Sequence, residues 1–96
     1  MHFAVIAYDG TDEGALERRM KAREAHLAGA KKMKDDGVML MGGAMLDETG
    51  KMIGSLMVVN YPDRAGVDAW LKADPYTTGD VWRKIDVRPY RIAGMT

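Results

Sequence analysis

Three segments of this chain are apolar at nearly every position, and this restricts the available folds more than any other feature. They span residues 2–8, 38–45 and 52–61, with turn-forming residues between them, so we predict a β-strand in each. Successive side chains of a strand point to opposite sides of a sheet. These strands are therefore apolar on both faces, whereas a sheet with one face in water would alternate apolar and polar residues.

The segments between the strands predict two helices. Residues 13–36 lack proline and are rich in alanine, lysine, leucine, methionine and glutamate, which predicts a long helix that Gly37 ends. A shorter helix is predicted over residues 62–73, because Asp74-Pro75-Tyr76 breaks it, and a fourth strand from residue 80 or 81 to 91. The order β-α-β-β-α-β predicts a ferredoxin-like α+β fold with an antiparallel sheet, as one domain over residues 1–96.

Two helices can cover only one face of a four-stranded sheet. The other face is also apolar here, so we expect a second copy of the chain to cover it, giving a homodimer that packs sheet against sheet. The alternative is that the C-terminal tail and the loops cover this face. The loops between the predicted elements are short, which favours the dimer.

Composition excludes several classes of partner and site. The chain has 14 basic and 14 acidic side chains and a net charge of zero, so we expect no binding to nucleic acid or to an anionic membrane. No apolar stretch approaches the length of a membrane span. Cysteine is absent and there are two histidines, so we expect no metal site and no cofactor. The lack of cysteine also fits a cytoplasmic protein.

The long helix places a charged residue among apolar ones. At 100° per residue, one stripe of the helix contains Leu16, Met20, Leu27 and Ala30, with Arg23 at its centre. We therefore expect this stripe to be buried and the guanidinium of Arg23 to be paired with a carboxylate, with backbone carbonyls or with a bound anion. The alternative is that Arg23 lays its stem along the core and extends its charged end into solvent.

His26 and Asp74 are the predicted catalytic pair. His26 lies one helical turn after Arg23, at the edge of the same stripe, and is therefore close enough to share a site with it. Asp74 lies at the end of the second helix, where the dipole disfavours a carboxylate, so a cationic partner is expected. A histidine oriented by an aspartate is a common general acid and base. The alternatives are an ordinary boundary histidine and an aspartate that only opens a turn.

Three further residues are candidates for a ligand pocket. Gly43, with Gly42, would let a ligand or a backbone approach the second strand, or would mark a bulge. Ser55 could donate a hydrogen bond into a pocket, although no base beside it in sequence would make it a nucleophile. Tyr76 could form a pocket wall, although such residues more often belong to the core.

These pieces together resemble the YciI-like (YCII-related) domain family. The resemblance rests on Arg23-Glu24-Ala25-His26-Leu27, Gly43-Ala44-Met45, Gly54-Ser55 and Ala73-Asp74-Pro75-Tyr76, and it covers essentially the whole chain. It implies a dimeric α+β barrel like that of muconolactone isomerase, and a His-Asp dyad that maps onto His26 and Asp74. Arg23, Ser55 and Tyr76 match positions near that pocket. The chain departs from the family at Glu24, often proline there, and at Gly42.

The resemblance implies an activity as well. One branch of the family removes chloride from a chlorinated hydroxyhydroquinone, which implies proton transfer on an activated ring. We therefore expect a lyase- or isomerase-type enzyme in which His26 is the acid and base, Asp74 orients it, and Arg23 holds an anionic or enolic oxygen. The ligand would be small and anionic or aromatic. The alternative is a non-catalytic homodimer that binds a small metabolite or acts as a regulator.

Overall fold

Four strands and three helices account for most of residues 1–94, the part of the chain that the computed structural model describes. No helix within those residues is long and apolar enough to cross a bilayer. The elements in chain order are β1 (His2–Asp9), α1 (Ala15–Asp35), β2 (Met39–Leu46), β3 (Met52–Asn60), α2 (Arg64–Ala73), α3 (Pro75–Thr78) and β4 (Trp82–Tyr90).

The strands form one antiparallel sheet in the order β2-β3-β1-β4. This confirms the predicted ferredoxin-like arrangement, in which the first and third strands lie side by side at the centre. Gly37 ends α1 with a positive φ of 75°, a backbone conformation that glycine adopts without steric cost. The single-turn helix α3 was not predicted, although proline is favoured at the first position of a helix.

The core lies between the sheet and the helices. Phe3, Val5 and Ala7 of β1 point to this side, and they pair with Val59, Met57 and Ser55 of β3. Each of these side chains is at most 2% exposed. The helices cover them with Val67 and Leu71 of α2 and with Tyr76 of α3, and the cluster is completed by Met39, Val81 and Trp82.

The predicted buried stripe of α1 is wrong at Met20, Arg23 and Leu27, whereas Leu16 and Ala30 are partly buried. Met20 is 51% exposed and Leu27 46% exposed, and Arg23 is exposed as well. The buried residues of α1 are instead Ala15, Arg19 and His26, with Ala22, Ala30 and Met33 partly buried beside them. Small alanines let α1 lie close to the sheet, and Arg19 and His26 can be buried because each is paired with a carboxylate. A count of large apolar residues detects neither feature.

The sheet face that the helices leave open is apolar over three strands. Ala4, Ile6 and Tyr8 of β1 lie on this face and pair with Val58, Leu56 and Gly54 of β3. Several of the side chains there are exposed, among them Met41, Tyr8 and Leu56. The edge strand β4 differs, because it places Lys84, Asp86 and Arg88 on this same side.

Candidate active site

Helix α1 positions an arginine and a histidine on its buried side. Arg19 and His26 are seven residues apart, which is close to two full turns, so both point towards the sheet. Arg19 is 3% exposed and His26 is 8% exposed. Each belongs to a separate polar cluster, and both clusters contact the same aromatic ring.

The first cluster holds the guanidinium of Arg19. Its Nη1 donates to both carboxylate oxygens of Asp9, at 2.9 and 3.0 Å, and its Nη2 donates to Ser55 Oγ at 3.1 Å. Burial raises the pKa of Asp9, and the charge and hydrogen bonds of Arg19 oppose that rise. The Nε–H of Arg19 is buried without a partner among residues 1–94. Because an unpaired buried donor costs about 1–3 kcal/mol, this cluster is not optimised for stability alone.

The second cluster joins His26 to Asp74. His26 Nδ1 lies 2.8 Å from Asp74 Oδ1, and both side chains are buried. Asp74 also accepts from the indole Nε1 of Trp70 at 3.2 Å and from the backbone N–H of Tyr76 at 2.9 Å. The indole and the backbone amide can only donate, so this carboxylate serves as the hydrogen-bond acceptor of the cluster. Its partner nitrogen Nδ1 therefore bears the proton, and Nε2 is left as the basic nitrogen of the neutral ring.

The break between α2 and α3 puts Asp74 in place. The residue ends α2 and also caps α3, because its side chain accepts from the backbone N–H of Tyr76. Its carboxylate thus faces donors from both helices rather than only the unfavourable end of α2. His26 is the hydrogen-bonded partner of Asp74, and no hydrogen bond or ion pair within residues 1–94 joins Arg23 to Asp74.

The Tyr76 ring connects the two clusters. It stacks on the His26 imidazole with centroids 3.8 Å apart and planes 10° apart, and the guanidinium carbon of Arg19 lies 4.7 Å from its centroid. Burial raises the pKa of the Tyr76 phenol, and the charges of Arg19 and Arg23 partly offset that rise. Trp82 meets both rings edge-on. The orientation of His26 is therefore fixed by packing as well as by Asp74.

A cavity of about 190 Å³ opens on these groups. A cavity of about 150 Å³ is enough for benzene in another protein, so this one has room for a single small ring. Gly42 lies on the cavity wall at a position with no room for a side chain, because a Cβ there would lie 2.9 Å from Met39 Sδ and 3.3 Å from Met57 Cγ. The cavity is lined by Arg19, Arg23, His26, Leu27, Gly42, Gly43, Ala44, Met52, Ser55, Met57 and Tyr76.

Five of the six predicted site residues thus line one cavity, namely Arg23, His26, Gly43, Ser55 and Tyr76. The sixth, Asp74, lies behind His26 and reaches the cavity only through it. Gly43 contributes backbone, and a side chain there would meet nothing within 4 Å.

Arg19 and Asp9 were missed by the sequence analysis. The spacing of seven residues between Arg19 and His26 could have revealed the arginine, but only if His26 had been placed at the centre of the buried side. The prediction that Arg23 is the arginine on that side is wrong, although Arg23 does line the cavity. Within residues 1–94 no three histidine, aspartate or glutamate side chains are grouped closely enough to hold a metal ion.

Comparison with known proteins places this chain among relatives. The model of the YCII-related domain matches residues 1–91. Protein YciI of Escherichia coli O6:H1 is 30% identical over 97 aligned positions, which cover 95% of this chain and 97% of that protein.

Two solved structures share the fold. The 5-chloro-2-hydroxyhydroquinone dehydrochlorinase TftG of Burkholderia phenoliruptrix AC1100, in complex with 2,5-dihydroxybenzoquinone, superposes with a TM-score of 0.82 at 23% identity and covers 95% of this chain and 94% of that one. A dimeric ferredoxin-like protein from Jannaschia sp. CCS1 gives a TM-score of 0.51 at 16% identity and covers 95% of this chain and 98% of that one.

Proposed function

Because the chain belongs to the YCII-related domain family, we propose that it is an enzyme in which His26 acts as general acid and base on a small ring or carbonyl substrate. The observation that supports this most directly is the 2.8 Å hydrogen bond between His26 Nδ1 and Asp74 Oδ1 on the wall of a cavity. The reaction class we propose is elimination or isomerisation.

The role of each group follows from its contacts. His26 Nε2 takes a proton from the substrate, and the buried Asp74 carboxylate stabilises the imidazolium that forms. Trp70 and the Tyr76 backbone hold Asp74 in position. The lining includes Arg19 and Arg23 but no carboxylate, so the cavity favours a substrate that is anionic or becomes so during the reaction.

The dehydrochlorinase of similar fold suggests the first substrate to test. Proton removal from a hydroxylated ring followed by loss of chloride needs a base and a site for negative charge, and the cavity contains both kinds of group. We expect the protein to release chloride from 5-chloro-2-hydroxyhydroquinone, or to exchange ring hydrogens of 2,5-dihydroxybenzoquinone with solvent deuterium.

The decisive variant is His26→Gln, with Lys31→Gln on the exposed side of α1 as the matched control. We expect His26→Gln to lower the rate of chloride release or of exchange about 100- to 10,000-fold, and Lys31→Gln to leave it unchanged. Equal rates in His26→Gln and wild type would refute the proposal. Tight binding of the quinone with no turnover would instead favour the non-catalytic metabolite-binding alternative.

We also propose that the chain works as a homodimer through the open sheet face. Burying Met41, Tyr8 and Leu56 against a second copy would remove exposed apolar surface from water, which stabilises the assembly by about 25 cal/mol per Å². The dimeric ferredoxin-like protein from Jannaschia sp. CCS1, which has a similar fold, supports this. Sedimentation should give a dimer at micromolar concentration, and Leu56→Glu should give a monomer. A wild-type protein that sediments only as a monomer would refute the dimer.

A further inference from the structure

Ser55 is a buried hydroxyl whose two acceptor positions are both occupied. The side chain is 2% exposed and lies on the cavity wall. Its Oγ accepts from Arg19 Nη2 at 3.1 Å and from the indole Nε1 of Trp82 at 3.1 Å. A guanidinium and an indole nitrogen can only donate, so neither contact can reverse its direction.

The hydrogen of this hydroxyl therefore has no role within the cluster. A hydroxyl offers one donor and two acceptor sites, and both acceptor sites are used. No acceptor among residues 1–94 takes the remaining hydrogen, and a buried donor without a partner is costly. The cavity is the space where an acceptor for that hydrogen can be placed.

We propose that Ser55 is a specificity-determining donor, so that the cavity selects a ligand which presents an acceptor oxygen, such as a phenolate, an enolate or a quinone carbonyl. This deepens the proposed function and rests on it for the chemistry at His26. A ligand hydroxyl that must donate at this position finds only another donor. The selection is thus for the ionised or carbonyl form of the ring oxygen.

Arg19 strengthens this donor. A hydroxyl that accepts from a cation is polarised and donates more strongly, and Asp9 holds the guanidinium fixed through Nη1. When His26 removes a proton from the substrate, negative charge develops on the ring oxygens. A fixed donor in a cavity sheltered from water stabilises that charge more than bulk water does.

The probe we choose is 4-nitrophenol, because its visible absorbance distinguishes the bound phenolate from the bound phenol. We expect wild type to bind the phenolate in preference, so that the bound dye ionises at a lower pH than the free dye. Nitrobenzene has the same ring without the hydroxyl and is the matched ligand control.

Two variants test the role of Ser55. Ser55→Ala should weaken phenolate binding about tenfold or more, as expected for a lost hydrogen bond to a charged group, and leave nitrobenzene affinity unchanged. Trp82→Phe keeps a ring but frees one acceptor position on Ser55. A phenol hydroxyl can then donate to Ser55, so the preference for binding phenolate over phenol should become smaller. Thermal melting identifies any variant that fails to fold, and the remaining variant then decides.

The outcomes separate this inference from the proposed function. His26→Gln should lose most of the turnover and retain the preference for phenolate. If Ser55→Ala binds phenolate as tightly as wild type does, if Trp82→Phe keeps the full preference for phenolate over phenol, or if wild type shows no preference, the inference about Ser55 is wrong even when His26 proves catalytic. If the preference behaves as expected while turnover does not depend on His26, the inference stands and the proposed function fails.

Discussion

Helix α1 contains two buried basic side chains, Arg19 and His26, and each is paired with a carboxylate at hydrogen-bond distance. Arg19 is permanently charged, and both carboxylate oxygens of its partner Asp9 accept from its Nη1. His26 can gain or lose a proton, and its partner Asp74 has two other donors. The first pair can only hold charge in place, whereas the second can move a proton. Both pairs are buried. The difference in what they can do therefore comes from the basic side chain, a guanidinium in one pair and an imidazole in the other.

The largest expected effect comes from removing the permanent charge. Arg19→Met leaves the buried Asp9 carboxylate without the cation that donates hydrogen bonds to it, so we expect a loss of about 3–5 kcal/mol in the free energy of unfolding. Urea unfolding at neutral pH measures this loss. A change below about 1 kcal/mol would show that water reaches Asp9 and that the pair is not buried as described.

Acidification should reverse part of that loss. Burial raises the pKa of Asp9, so its ionised form opposes folding, and this penalty is relieved as pH falls through the raised pKa. Without Arg19 the pKa rises further. The deficit of Arg19→Met should therefore begin to shrink at a pH above the ordinary aspartate range. A deficit that is constant from neutral pH down to the ordinary pKa of aspartate would contradict the burial of this carboxylate.

Removing the imidazole of His26 should cost much less stability. His26→Gln leaves Asp74 with the donors of Trp70 and Tyr76, so no buried charge loses all its partners. We expect a loss of about 1–2 kcal/mol in the same urea measurement, beside the large loss of activity described above. If His26→Gln loses as much stability as Arg19→Met, the two pairs are equivalent structural contacts and do not differ in role.

The proton-moving character of the second pair can be tested directly. In Asp74→Asn a neutral amide replaces the carboxylate that pairs with His26 Nδ1, so His26 is no longer held in the tautomer that leaves Nε2 free. We expect the rate of chloride release or of exchange to fall about 100-fold or more, with Lys31→Gln again as the control. An unchanged rate in Asp74→Asn would show that Asp74 does not orient His26.

The smallest effect is expected at the neighbouring arginine. Arg18 pairs with Asp12 at 2.8 Å, and its hydrogen bond holds the pKa of Asp12 well below the usual range. This pair favours folding above the ordinary aspartate pKa, and its contribution is lost as pH falls below it. In urea unfolding, Arg18→Gln should lower the free energy of unfolding far less than Arg19→Met does. The loss in Arg18→Gln should become smaller only at a lower pH than the loss in Arg19→Met does.

The two pairs also differ in how far the sequence predicted them. His26 and Asp74 were identified from their residue types, from the proline after Asp74 and from the family resemblance, and their side chains do meet. Arg19 was missed because Arg18, Arg19 and Arg23 are alike in sequence. Which one is buried depends on the rotation of α1 against the sheet, and the large apolar residues Met20 and Leu27 indicated the wrong rotation.

The sequence by itself determined the order of the elements, the antiparallel ferredoxin-like sheet and the apolar character of both of its faces. These properties follow from local propensity, from turn residues and from the alternation of side chains along a strand. Only the tertiary structure decided which arginine is buried, that Ser55 has both acceptor positions filled, and that Tyr76 joins the two clusters. Those properties depend on contacts between residues 10 to 57 positions apart in the chain, and such contacts form only when α1 docks on the sheet.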